Sequence, residues 1–246
     1  MHSIVSLISG RGSNLEAILK TATAKSWDVR FTGVISNNPE AKGLDFARSQ
    51  GISTQVLNHR DFASRDAFDE ALIHEIDHYG ADLLILAGFM RILTPAFIKH
   101  YEGRMVNIHP SLLPLYPGLH THQRALDGGD QKHGATVHFV SAEVDQGSII
   151  CQGEVPILPI DDARSLAARV LKMEHYIYPL AVEWIINTQY GTAQVRSNLT
   201  KIPNDDLATE FEIPAASVEA IRIYVSSIVN RKHEIRLLFA PLEYEA

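Results

Sequence analysis

Two side chains near the middle of the sequence have the types that acyl-transfer chemistry requires. Asn107 and His109 lie two positions apart in the segment Asn-Ile-His-Pro, at the end of a predicted strand. Side chains two apart in a strand point to the same face, so these two are predicted to project together. An amide can hold a developing oxyanion, and an imidazole can transfer protons near neutral pH. The alternative interpretation is a structural His-Pro that ends the strand.

A carboxylate further along the chain is a candidate partner for this histidine. Asp145 lies in the segment Val-Asp-Gln-Gly-Ser, which is typical of a turn. If the chain folds back so that Asp145 lies beside His109, the carboxylate would favour the charged imidazolium and make it a general acid. Spacing alone does not show this contact, and a plain hairpin turn is the alternative.

The segment 10–14, Gly-Arg-Gly-Ser-Asn, has the composition of an anion site. It lies between a predicted strand and a predicted helix, where backbone N–H groups and the helix dipole attract phosphates. Gly12 would let the backbone approach the anion, and Ser13 and Asn14 add side-chain donors. The segment matches neither the Walker A pattern nor the dinucleotide fingerprint. The alternative is a tight turn in which Ser13 caps the helix.

Three further features carry weaker signals. Arg65 lies near the start of a predicted helix, where the dipole disfavours a cation, which hints at an anion contact. The segment 88–93 places Arg91 among apolar residues after a buried strand, as a pocket for an aromatic carboxylate would; a simple connection with an exposed Arg is the alternative. Glu174 lies at the edge of an apolar helix stripe, where it either accepts hydrogen bonds from hydroxyls or faces solvent.

These candidates are positioned by alternating strand and helix patterns in the first half of the chain. Strands are predicted at 3–9, 29–36, 53–57 and 82–87, and helices at 13–24, 39–50 and 64–79. The alternation predicts an α/β fold with a parallel, doubly wound sheet, in which ligands gather outside the carboxyl ends of the strands.

The second half predicts strands at 104–108, 135–140 and 149–157, followed by a long helix that opens near Asp161. The apolar stripe of this helix has helical spacing, and its members are Leu166, Val170, Met173, Ile177, Leu180 and Trp184. Pro179 is expected to kink it. Apolar positions between 218 and 228 predict a further helix. We therefore predict a catalytic domain at 1–190 and an α-containing C-terminal extension of unknown role at 191–246.

Composition limits the class of protein. The chain has 246 residues, a net charge of −7 and one cysteine, Cys151. The acidic charge argues against nucleic acid, no apolar run is long enough to cross a membrane, and a lone cysteine favours a reducing compartment. We therefore expect a cytoplasmic protein. His120 and His122 have the spacing of a metal pair, but no clear third ligand is nearby, so we expect a polar loop and no metal.

A family resemblance is carried by the segments ISGRGSNLEAIL, LAGFMRIL, NIHPSLLPLYPGLHTH and HGATVHFV and by the Asp145 turn. Together they resemble the folate-dependent phosphoribosylglycinamide formyltransferases, from the N-terminus to about Asn187. NIHPSLLP with a downstream Asp marks the wider formyltransferase superfamily, and GRGSNL is typical of the purine-pathway enzymes.

The resemblance implies a Rossmann-like formyltransferase fold, a mostly parallel sheet flanked by helices, with the active site between its two halves. The implied reaction moves the formyl group of 10-formyltetrahydrofolate to the amine of phosphoribosylglycinamide by direct attack, without a metal. Asn107 and protonated His109 would stabilise the oxyanion. His109 would then protonate the departing folate nitrogen, while Asp145 keeps the imidazolium populated.

The resemblance also implies which residues bind the two substrates. Gly12, Ser13 and Asn14 would hold the phosphate end of phosphoribosylglycinamide, and Glu174 its ribose hydroxyls. The residues implied for the folate are Arg65, Met90, Arg91, Ile92, Leu93, Asn107, Ser141, Ala142, Glu143, Val144 and Asp145.

Other functions remain open at this point. A formyltetrahydrofolate deformylase shares the Asn-His-Asp set but gives the formyl group to water, and a phosphate loop would be idle in it. A methionyl-tRNA formyltransferase is disfavoured by the acidic charge, and a non-catalytic folate-binding module would not need all three catalytic residues. The expected partners are the two small-molecule substrates, and a homodimer is one assembly open to such an enzyme.

Overall fold

The computed structural model describes residues 1–189, 211, 222–228 and 237–241. These residues form two compact units. Unit 1 contains Met1–Ile108 and Phe139–Ser148, and unit 2 contains His109–His138 and the described residues from Ile149 onward. Most of the predicted C-terminal extension lies outside the described residues, and its boundary near residue 190 stays a prediction.

Unit 1 is a parallel sheet with helices between its strands, as the alternation predicted. Its strands pair in the order β3-β2-β1-β4-β5: β1 (His2–Ile8), β2 (Val29–Ser36), β3 (Thr54–Val56), β4 (Leu83–Leu86) and β5 (Met105–His109, whose last residue belongs to unit 2). The helices are α1 (Ser13–Ala24), α2 (Gly43–Ser49), α3 (Arg65–His78) and α4 (Pro95–His100). In this arrangement the loops after the strands are where ligands bind.

The core of unit 1 positions one of these loops, the connection between β4 and α4. All four residues of β4 are buried, as expected for a strand inside a parallel sheet. On α3, the side chains of Phe68, Leu72 and Ile76 recur at helical spacing and are at most 1% exposed. Ser64 caps the helix by accepting a hydrogen bond from the Ala67 N–H. The buried face of α3 therefore lies against the core from which the β4–α4 connection emerges.

Unit 2 contains an antiparallel sheet and a long helix. Its described elements are α5 (Thr121–Asp127), β6 (Lys132–Phe139), β7 (Ile149–Pro156), α6 (Ala163–Gln189), β8 (Arg222–Ile228) and β9 (Leu237–Pro241). Strand β7 pairs antiparallel with both β6 and β8, and β8 pairs with β9.

The helix predicted over 218–228 is wrong for residues 222–228, which form β8. Apolar spacing suggested a helix, but Ile223, Tyr224 and Val225 are β-branched or aromatic and suit a strand. Strand β7 offers an edge of unpaired backbone groups, and β8 satisfies them by pairing Cys151 with Val225. Long-range pairing thus outweighs the local helical spacing.

Helix α6 packs on β7 through the predicted apolar stripe in its first half. Leu166, Val170, Met173 and Ile177 are fully buried. Gly153 on β7 allows this approach, because a Cβ at that position would collide with the Met173 side chain. After Ile177 the buried face continues through other residues than predicted, since Ala181 and Ile185 are buried while Leu180 and Trp184 are only half-buried.

Over the described residues, the structure contains no helix with the length and apolarity needed to span a membrane.

Candidate active site

The loop after β1 is shaped by two glycines that lie against each other. Gly12 has a φ of 73° and is the N-cap of α1. A Cβ on Gly12 would lie 2.9 Å from the Cα of Gly43, so neither the conformation nor the space admits a side chain. The N–H of Gly43 donates to the carbonyl of Gly10 at 3.1 Å and fastens the loop. The first turn of α1 then presents backbone N–H groups, as an anion site requires.

Ser13 does not cap this helix. Helix α1 begins at Ser13 itself, its N-cap is Gly12, and no side chain makes a capping hydrogen bond there. The capping interpretation of Ser13 is therefore wrong, because the left-handed glycine moves the helix start one residue earlier. The hydroxyl of Ser13 is thus not engaged as a cap for its own helix.

The connection between β4 and α4, residues 87–94, exposes apolar side chains. Met90 is 73% exposed and Ile92 is 64% exposed, whereas Leu93 is buried. The Arg91 guanidinium lies 5.8 Å from the centre of the Phe68 ring, a cation–π distance. Neighbouring exposed apolar groups with one cation are suited to an aromatic ligand that carries a carboxylate.

Arg65 lies at the first position of α3 and is exposed. It precedes Phe68 by less than one helical turn, so it belongs to the same end of α3 that contacts Arg91. The structure therefore brings the end of α3 that carries Arg65 to the β4–α4 connection within unit 1.

The loop at 141–148 is anchored beside the strand that carries Asn107. The N–H of Val140 donates to the carbonyl of Met105 at 2.9 Å, and the N–H of Phe139 donates to the carbonyl of Ser148 at 2.9 Å. Ser141 Oγ donates to the carbonyl of Glu143 inside the loop. These bonds bring both ends of the loop to β5, which carries Asn107.

Within this loop Asp145 has a φ of 57°, a left-handed conformation that Asp tolerates better than most residues. Its side chain is half-buried, while that of Val144 is 54% exposed. The turn predicted from the sequence is therefore present, and it presents Val144 to solvent.

His109 belongs to unit 2 and is 6% exposed. Its Nε2 lies 2.9 Å from the backbone carbonyl of Tyr116. Because a carbonyl only accepts, Nε2 must carry a hydrogen, and the charge of the ring is then set by the proton on Nδ1. Asn107 and His109 lie in one strand, as predicted. The pairing of His109 with Asp145 stays a prediction.

Unit 2 also contains a pair of contacting histidines that was not predicted. Nε2 of His133 lies 3.1 Å from Nδ1 of His122, and the side chain of His133 is 1% exposed. Burial, followed by the positive charge of His122, lowers the pKa of His133 to about 4. Burial and the charge of His109 also lower the pKa of His122.

The metal-like spacing of His120 and His122 is not used as a pair in the structure. His120 is the left-handed N-cap of α5, with a φ of 59°, and His122 pairs with His133 instead. Among the described residues, no group of three His, Cys, Asp or Glu side chains is arranged to hold a metal ion. The sequence signal for the histidine pair was weak, because the partners lie on different elements.

Glu174 lies on α6 and is 8% exposed. The interpretation of this residue as a solvated flank is therefore wrong. A buried carboxylate is costly unless it is held by hydrogen-bond donors, which suits a residue that accepts hydrogen bonds from hydroxyls.

A polar cavity of about 450 Å³ in unit 1 was also missed by the sequence analysis. It lies at the ends of β1 to β4, and its lining includes Ser9, Asn37, Asn38, His59 and Met90. These residues follow four different strands, so no local pattern brings them together.

Comparisons with known proteins assign this arrangement to a family. The formyl transferase family matches residues 2–182 of the chain. The phosphoribosylglycinamide formyltransferase of Escherichia coli is 52% identical over 182 residues, which are 74% of this chain and 86% of that protein. The enzyme of the same name from Haemophilus influenzae is 41% identical, covering 81% of this chain and 92% of that protein.

Solved structures give the same result for the fold. The phosphoribosylglycinamide formyltransferase of Coxiella burnetii, in complex with CHES, superposes with a TM-score of 0.71 at 47% identity, covering 75% of this chain and 86% of that one. The enzyme of the same name from Brucella melitensis has a TM-score of 0.71 at 47% identity, covering 79% of this chain and 97% of that one.

Proposed function

Because this chain belongs to the formyl transferase family, we propose that it transfers the formyl group of 10-formyltetrahydrofolate to the amine of phosphoribosylglycinamide. The observation that carries the proposal is the 52% identity that extends over 86% of the Escherichia coli phosphoribosylglycinamide formyltransferase. The reaction is a step of purine biosynthesis, and its small-molecule substrates fit a cytoplasmic location.

The phosphate of phosphoribosylglycinamide binds at the loop of residues 10–14. The left-handed Gly12 and its contact with Gly43 support this assignment, because they open the backbone to close approach by an anion. Ser13 and Asn14 supply further donors at the start of α1. Glu174 accepts hydrogen bonds from the ribose hydroxyls, a role that its burial on α6 supports.

The folate binds at the exposed apolar residues of the β4–α4 connection and at the 141–145 loop. Met90, Ile92 and Val144 each expose more than half of their side chains, so they have apolar area to offer a ligand. Arg65 and Arg91 bind the carboxylates of the folate.

The chemical step is a direct attack of the substrate amine on the formyl carbon. The carbonyl electrons move to the formyl oxygen, and the amide of Asn107 and protonated His109 stabilise the resulting oxyanion. When the carbonyl re-forms, the bond from carbon to N10 of the folate breaks, and N10 takes a proton from His109. The attacking nitrogen becomes positively charged when it bonds to the formyl carbon, and it loses one proton to solvent to give the neutral formamide.

The hydrogen bond to Tyr116 determines which proton moves. The Nε2–H of His109 is engaged by the Tyr116 carbonyl, so the transferred proton is the one on Nδ1. The carboxylate of Asp145 favours the imidazolium form from which this transfer occurs.

The test is product analysis with 10-formyltetrahydrofolate in the presence and absence of phosphoribosylglycinamide. A transferase forms tetrahydrofolate only when the amine substrate is present, in equal amount with the formylated product. Release of formate at the same rate without the amine would identify a deformylase and overturn the proposal. The variant Asn107→Ala, which lacks the oxyanion donor, serves as the control for contaminating activity.

A further inference from the structure

The β4–α4 connection is held at both ends by side chains from other parts of unit 1. At its start, Ser9 Oγ accepts a hydrogen bond from the N–H of Met90 at 2.7 Å. At its end, Asp69 Oδ2 accepts a hydrogen bond from the N–H of Thr94 at 2.6 Å. Phe89 and Leu93 of the connection pack in the core, whereas Met90 and Ile92 are exposed. The two hydrogen bonds therefore act together with this packing to hold the backbone that presents Met90 and Ile92.

Ser9 is suited to this role because the orientation of its hydroxyl group is fixed by a hydrogen bond. It donates its single proton to Asn37 Oδ1, which leaves its lone pairs for the Met90 N–H. Asn37 is 5% exposed, and its side chain lies 3.2 Å from Nδ1 of His59. The backbone N–H of Ser9 also donates to the carbonyl of Gly88 at 3.2 Å, so one residue contacts two points of the connection.

Asp69 holds the other end with a buried carboxylate. Its side chain is 2% exposed, and its bond to the Thr94 N–H is of the short, charge-assisted kind. Thr94 in turn caps α4 by accepting from the Phe97 N–H. The adjacent residue Phe68 lies under the Arg91 guanidinium. Two successive residues of α3 thus contact the end and the middle of the connection.

We propose that Ser9 and Asp69 are positioning residues that hold the β4–α4 connection in the conformation that binds the folate. The inference rests on the proposed function, since it is this connection that is assigned to the folate. Neither residue touches a reacting atom. Both act through the backbone of residues 88–94.

Alanine and conservative variants separate positioning from a structural role. Ser9→Ala and Asp69→Ala remove one hydrogen bond each, so the KM for 10-formyltetrahydrofolate is expected to rise about five- to tenfold. The value of kcat and the KM for phosphoribosylglycinamide should stay within about twofold. Ser9→Thr keeps the hydroxyl and Asp69→Asn keeps an acceptor oxygen, so both should restore a KM close to that of the wild type.

Two control variants each remove one side-chain hydrogen bond that is not made to residues 87–94. Ser6 on β1 is fully buried, and its hydroxyl donates to the carbonyl of Ile85. Asp82 accepts a hydrogen bond from the Ser3 N–H at the opposite end of the sheet. Ser6→Ala and Asp82→Ala should lower the melting temperature without raising the KM for the folate.

Amide hydrogen exchange of Met90 and Thr94 gives a readout that does not require activity. Exchange of these amides should accelerate in the alanine variants at Ser9 and Asp69 and stay unchanged in the controls. An unchanged KM for the folate in both alanine variants, or equal effects in the controls, would overturn the inference. If the wild-type enzyme neither binds folate nor transfers formyl, the proposed function fails, and the exchange rates alone decide whether these side chains hold the connection.

Discussion

The loop after β1 and the connection after β4, both assigned to substrates in the proposed function, are built by different means. The loop after β1 takes its shape from contacts between backbone atoms, with a left-handed Gly12 lying against Gly43 of α2. The connection after β4 takes its shape from side chains elsewhere in the unit, Ser9 and Asp69, which bind its backbone amides at both ends. One loop is shaped by contacts between backbone atoms of glycines, and the other by hydrogen bonds from side chains.

This difference has consequences for what each loop can recognise. A phosphate needs several backbone N–H groups in one place, and glycines allow that geometry because they have no side chain to block the approach. A large aromatic ligand needs exposed apolar side chains at set positions, and these must be held from behind because their exposed faces are reserved for the ligand. We therefore expect a side chain added at Gly12 to cause a large rise in the KM for the substrate of the first loop. Changes to single side chains of the second loop should cause smaller rises in the KM for its ligand.

The largest effect is expected outside both loops, at Asn107. Asn107→Ala removes the proposed oxyanion donor, so kcat should fall by about two to three orders of magnitude while both KM values change little. Steady-state kinetics with each substrate varied in turn will check this. Such a result would show that Asn107 acts in the chemical step and not in substrate binding, which is assigned to the two loops. A variant with wild-type kcat would remove Asn107 from the mechanism.

A glycine substitution tests the loop after β1. Gly12→Val places a side chain on a left-handed residue that already touches Gly43. Loss of contacts to a charged phosphate should raise the KM for phosphoribosylglycinamide about ten- to hundredfold, far more than the KM for the folate.

The matched control for that experiment is Gly51→Val. Gly51 has a φ of 72°, but a Cβ there meets nothing within 4 Å and it lies outside the substrate loops. It therefore shares the backbone strain without the loss of phosphate contacts. Equal kinetic effects of the two variants would show that strain, and not phosphate binding, explains the result.

A third segment, in unit 2, is held by a pair of imidazoles and should respond to pH. Burial disfavours the charged form of His133 and lowers its pKa in the folded protein to about 4, from the usual value of 6.5. The unfolded chain therefore binds the proton more readily. Stability is full above about pH 6.5 and is lost as the pH falls toward 4, by up to about 3 kcal/mol at 1.4 kcal/mol per pKa unit.

Urea unfolding between pH 7 and pH 4.5 measures this loss, with His133→Asn as the comparison. The variant removes the titrating group, so its stability should fall less steeply with pH than that of the wild type. Parallel pH dependences for the two proteins would mean that other groups cause the loss.

The smallest effect is expected at the β4–α4 connection. Ile92 is 64% exposed, so Ile92→Ser removes apolar area that a ligand would cover but that the fold does not use. The KM for the folate should rise only a few-fold, about 1 kcal/mol of lost apolar contact, and the melting temperature should not change. A fall in melting temperature would show that Ile92 packs in the fold instead of serving the ligand.

Much of unit 1 could be predicted because its signals are local. The alternation of strands and helices, the helix after Gly12 and the strand that carries Asn107 follow from periodicity and from single residues. The helix predicted over 218–228 failed for residues 222–228 because apolar spacing does not reveal an open strand edge such as that of β7.

The sequence by itself determined the family, the alternation of strands and helices in unit 1 and the positions of the glycine loop and of Asn107 and His109. Only the tertiary structure revealed that Ser9 binds Met90, 81 residues away, that Asp69 binds Thr94, and that His122 pairs with His133. Periodicity reports the geometry of a single element, which a few neighbouring residues decide. A hydrogen bond between elements depends on how the whole core packs, and no spacing along the chain records that.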